Sequence, residues 1–146
     1  MDTLFTIQTL RNYAMIWQKM NEGADLIGDE ALVADAIRLH PEFDSFWPNG
    51  DAAIQPQEID GYVVNPLIHT GLHFIVEKQI QEKSPIETVT ALDTLLENGT
   101  TRHDALHQMI GLWGELYFKS LRESSPLYEW EYVELLNRLA AEAKPI

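Results

Sequence analysis

The sequence predicts an all-α fold, a single-domain helical bundle of about six helices spanning residues 1–146. Three observations carry this. Apolar residues recur at intervals of three and four along most of the chain. Capping side chains, several followed by proline, mark helix starts. Short polar turns separate successive helical segments.

The elements follow in order. From Leu4 to Met20 the positions Leu4, Ile7, Leu10, Ala14, Trp17 and Met20 form one face of an amphipathic helix, stopped by Asn21-Glu22-Gly23. Asp29 is placed to cap a second helix through Leu32, Val33, Ala36, Ile37 and Leu39, which ends at His40 because Pro41 disfavours helical geometry there. A short turn resumes in 41–47. Residues 48–64, with two prolines and two glycines, read as a long loop with an extended piece at 61–64. Such a loop is either functional or an ordered packing strap. Asn65 then caps a third helix with Pro66 at its first position, running to about Glu82. Ser84-Pro85-Ile86-Glu87 has the pattern of a capping box for a fourth helix ending at Asn98-Gly99. Thr101-Arg102-His103-Asp104 caps a fifth through Leu106, Ile110, Trp113, Leu116 and Tyr117 to about Leu121. Ser125-Pro126 opens a sixth with Leu127, Trp130, Val133, Leu136 and Leu139 on one face. The four tryptophans, Trp17, Trp47, Trp113 and Trp130, are expected in the core.

Composition bounds the chemistry. With 146 residues, 45% of them hydrophobic and 23% charged, the chain can bury a core without disulfides. Ten basic against 23 acidic residues give a formal charge of −13, and no Lys/Arg cluster appears, which argues against nucleic-acid binding. The absence of cysteine excludes thiolate catalysis and Cys-based zinc or iron–sulfur sites. No apolar run approaches the roughly 20 residues a membrane span requires. Met1-Asp2-Thr3 carries no basic leader signal, so an acidic cytoplasmic protein is expected. Nothing indicates a nucleotide or flavin.

Four of the five histidines form two pairs at i, i+4: His69 with His73, and His103 with His107. Four residues turn a helix by about 400°, so each pair shares one face, the spacing by which a helix grips a metal with two imidazoles. If the third, fourth and fifth helices run up, down and up, the third and fifth are parallel and adjacent, and the pairs lie at the same end at matched height. His40 reaches that end if the second helix is antiparallel to the third. Glu77 extends the His69–His73 stripe by one turn, and Glu115 stands eight residues beyond His107. Asp104 and Glu42 are further ligands or outer partners. Gly71, Gly111 and Gly114 interrupt the third and fifth helices and signal close packing or room for a ligand.

At these residues the sequence resembles a bacterial family catalogued as domain of unknown function 1841. The similar segments are A34-D-A-I-R-L-H-P-E-F43, N65-P-L-I-H-T-G-L-H-F-I-V-E-K-Q79 and R102-H-D-A-L-H107, followed by G114-E115. They match the family's HPE element, its NPxxHxxxHxxxExQ helix and its later HxAxH helix. The resemblance marks His40, Glu42, Asn65, Pro66, His69, His73, Glu77, Gln79, His103 and His107. It departs at Gly111, where some members carry glutamate. It implies no activity.

Two functional readings follow. In the first, His69, His73, His103 and His107, completed by Glu77 or His40, bind a divalent transition metal, Zn or Fe first, with Mn or Ni after them. An open coordination position then permits hydrolysis, with Glu77 or Glu115 as general base. In the second, the protein is a non-catalytic interaction or homo-oligomer module, and its histidines form a hydrogen-bonded cluster. Whether it is an enzyme stays open in the sequence.

Overall fold

The computed structural model describes residues 4–54, 56–59 and 62–143. Among them are six α-helices: α1 Ile7–Asn21, α2 Gly28–Arg38, α3 Pro66–Glu82, α4 Glu87–Glu97, α5 Arg102–Glu123 and α6 Glu129–Glu142. The fold is all-α, as the sequence predicts, with one small addition. The expected loop at 48–64 contains 3-10 turns at Trp47–Ile54 and an antiparallel pair of short strands, β1 Gln57–Ile59 and β2 Tyr62–Val64. The expected extended piece is found at 62–64, while Gly61 lies outside the described residues.

Backbone contacts divide the chain into two compact units, one up to Phe74 and one from Ile75 onward. The helix α3 supplies residues 66–74 to the first and 75–82 to the second. In the first unit α1 packs on α2 and on the 3-10 segment at 47–54. Its core comprises Leu10, Tyr13, Ile16, Val33, Ala34, Ile37, Phe46, Trp47 and Leu67. The buried face of α1 is Leu10, Tyr13 and Ile16, whereas Leu4 and Ile7 are exposed and the helix starts only at Ile7. The apolar positions of this segment outnumber one face, so spacing alone did not settle its rotation. In the second unit α4, α5 and α6 pack on one another. Tyr132 and Leu136 form the buried face of α6, and Trp130 is 63% exposed, so the expected core tryptophan there is a surface residue.

Helix starts test the cap readings. Asn65 Oδ1 accepts the Ile68 backbone N–H at 3.2 Å, and Thr101 Oγ1 accepts that of Asp104 at 3.2 Å, so both caps form as read. Three others do not. Ile27 occupies the N-cap of α2, leaving Asp29 inside the first turn, where its charge still suits the helix dipole. The helices α4 and α6 start at Glu87 and Glu129, with Ile86 and Tyr128 as N-caps and no side-chain cap bond. In both, the Ser-Pro pair belongs to the preceding turn.

The glycines divide by environment. A Cβ at Gly71 would overlap the Phe5 ring, so this buried glycine permits a close approach. A Cβ at exposed Gly111 would meet nothing. Gly71→Ala is therefore expected to lower the melting temperature. Gly111→Ala should add up to about 1 kcal/mol of helix propensity and raise melting by roughly 2–4 °C. Thermal unfolding of the two variants checks both signs.

Burial raises two phenols. Tyr13 is pushed up to about 12, and Tyr132, whose hydroxyl donates to Gln79 Oε1 at 2.7 Å, moves upward too. In the unfolded chain tyrosine ionises near pH 10. The stability these protonated phenols contribute is thus intact below about pH 10 and lost as pH rises toward 12. Melting temperatures across that range, read beside phenolate absorbance, should show late ionisation coupled to unfolding.

Candidate metal centre

The centre of the first unit is built where α2 ends. His40 follows the C-cap residue Leu39, and Pro41 keeps it out of helical geometry, at φ −130° and ψ 70°. The chain then turns tightly through the 3-10 segment Pro41–Phe43, with the Phe43 N–H donating to the His40 carbonyl at 3.0 Å. This turn folds two neighbours onto the His40 ring. Glu42 Oε1 contacts Nδ1, and the Phe43 ring stacks on the imidazole at a centroid distance of 5.0 Å. Burial works to raise the Glu42 carboxyl, but hydrogen bonds from the His40 ring and the backbone, with attraction to His40 and His69, outweigh it and hold the acid below its ordinary range.

The other Nε2 face of His40 meets α3. His69 and His73 stand one turn apart there, below the Asn65 cap. The Nε2–Nε2 distances are 2.9 Å for His40–His69, 3.2 Å for His40–His73 and 3.2 Å for His69–His73. Three ring nitrogens thus form a nearly equilateral triangle. His73 is fully buried and His40 is 9% exposed. Phe43 also meets His69 edge-on, which walls the cluster with apolar surface.

Hydrogen bonding among the three nitrogens can satisfy at most two of the three contacts. Each ring nitrogen presents either one N–H or one lone pair. With three nitrogens and two kinds, at least one of the three contacts sets like against like. A cation accepts all three lone pairs at once. Ligands at about 2.0–2.1 Å from one ion lie about 3.3 Å apart in tetrahedral geometry and about 2.9 Å apart in octahedral geometry. The observed spacings fall between these two values, so the triangle fits one face of either polyhedron.

In the second unit His103 and His107 adjoin on the first turns of α5, with Nε2 atoms 3.0 Å apart. Arg102, directly before them, makes a two-pronged ion pair with Glu77, at 2.5 Å and 2.9 Å. The start of α5 is thereby fixed against Glu77 of α3 within the second unit. Lys78 pairs instead with Glu82, at 3.9 Å. The Gln79 side chain, matched to the family pattern, accepts the Tyr132 hydroxyl and so has a packing role. Glu115 is exposed and lines a groove between α5 and α6 with Leu112, Lys119, Trp130, Glu134 and Arg138, and no histidine lines it. Asp104 is an exposed residue of the first turn of α5.

The structure thus brings His40, His69 and His73 together in one unit and pairs His103 with His107 in the other. Two features escaped the sequence reading. The Phe43 ring on His40 could have been suspected from the run HPEF, whose turn throws the fourth residue back. The Arg102–Glu77 pair joins residues 25 apart and leaves no local signal.

No helix among the described residues is long and apolar enough to cross a membrane. No curated protein and no solved structure matches the chain. A family model described as a domain of unknown function matches residues 6–138, which include all five histidines, Glu42 and Glu77. With nearly its whole length covered, the chain belongs to the DUF1841 family.

Proposed function

We propose that this protein binds a divalent transition metal through the Nε2 atoms of His40, His69 and His73. The single observation that carries the reading is the three-nitrogen triangle with sides of 2.9–3.2 Å. An imidazole set without thiolate favours Zn or Fe over Mn, with Ni as a further candidate. The reaction class such a centre serves is hydrolysis, since an ion on neutral imidazoles keeps its charge and brings the pKa of bound water to about 7. Glu77 is engaged by Arg102, so Glu77→Gln should leave bound metal unchanged.

The second reading is a metal-free interaction module. It draws on the exposed surface of the second unit, where Tyr128 and Trp130 stack at 6.4 Å with Trp130 mostly in solvent.

Elemental analysis of protein purified without an affinity tag decides between them. Wild type should carry close to one Zn or Fe per chain, and His40→Ala with His73→Ala should lose it. Added zinc at 100 times its dissociation constant should stabilise wild type by about 2.7 kcal/mol and leave the double variant unmoved. Equal, near-zero metal in both, with melting curves indifferent to zinc, would overturn the metal reading in favour of the interaction module.

A further inference from the structure

We infer that Glu42 is a positioning residue that fixes the tautomer of His40 and thereby aims its Nε2 lone pair into the histidine triangle. The inference rests on the metal reading above and extends it to a residue outside the ligand set. An ionised carboxylate only accepts hydrogen bonds, so its contact with His40 Nδ1 requires the proton on that nitrogen. In the neutral ring the lone pair then lies on Nε2, which faces His69 Nε2 at 2.9 Å and His73 Nε2 at 3.2 Å. Without Glu42, the ring can place its proton on Nε2, where it would point at the position a cation requires.

Local geometry makes this control stiff. Glu42 stands only two residues from His40, and the intervening Pro41 and the 3-10 turn leave it little freedom to swing away. The Phe43 ring lies almost parallel to the imidazole, at an interplanar angle of 15°, and resists a ring flip. His40 is therefore held by a carboxylate at one nitrogen and by an aromatic face on its plane. A carboxylate–histidine–metal arrangement is the recurrent way in which an outer partner sets ligand orientation and basicity, and its loss costs about 10- to 100-fold in metal affinity.

Two measurements test it, on the full chain with Glu42→Ala and Glu42→Gln. Long-range proton–nitrogen NMR of the metal-free protein should show His40 as the Nδ1–H tautomer in wild type. The Ala variant should shift toward Nε2–H, and the Gln variant should keep Nδ1–H because its amide oxygen still accepts. Zinc titration by calorimetry should then give about a 10- to 100-fold weaker dissociation constant for Ala and a smaller loss for Gln. A merely structural role for Glu42 would move the melting temperature but not the tautomer. An Nε2–H ring in wild type, or an unchanged tautomer in the Ala variant, would overturn the inference. A tautomer shift without zinc binding in wild type would sink the metal reading while leaving the hold of Glu42 on the ring in place.

Discussion

A ring nitrogen of histidine offers a proton or a lone pair in its plane and never both, and in this protein three such nitrogens meet. His40, His69 and His73 bring their Nε2 atoms within 2.9–3.2 Å of one another. Much of the local construction serves that meeting. Pro41 ends α2 so that His40 can leave the helix, Asn65 sets where α3 begins, and the i, i+4 spacing stacks His69 under His73. Whatever else each ring meets, the three facing nitrogens cannot all pair as donor with acceptor. On the proposed reading, a cation takes all three lone pairs at once.

The surrounding residues divide their labour in a way that fits this demand. Glu42 sets one ring from behind, and Phe43 closes its face. Further along α3, Glu77 holds Arg102 and so fixes where α5 and its own histidine pair begin. Gln79 holds Tyr132 of α6. Along α3 the histidines thus stand in the part that belongs to the first unit, while Glu77 and Gln79 hold α5 and α6 within the second. The residues that carry the family resemblance are largely those that do one or the other.

Much of this was legible in the sequence, for identifiable reasons. The HxxxH pairs could be read because helix geometry fixes their relation without any tertiary knowledge. The same holds for the Asn65 and Thr101 caps, whose oxygens need only reach three residues ahead. Ser84 and Ser125 misled because a Ser-Pro pair serves equally well in the turn before a helix, and here α4 and α6 start later, at Glu87 and Glu129. Strands of three residues are too short to show alternation, so the hairpin β1–β2 passed as loop. His40 could be joined to His69 and His73 only by assuming the direction of α2 across a long irregular segment. The rotation of α1 and α6 was likewise beyond reach, since apolar residues occupy more than one face and packing decides which is covered.

X-ray absorption at the zinc edge, on the full chain loaded with one equivalent of zinc, is the most direct measurement. The triangle predicts a first shell of nitrogen at about 2.0–2.1 Å with outer-shell scattering from at least three imidazoles. A shell dominated by oxygen, with one imidazole or none, would contradict it.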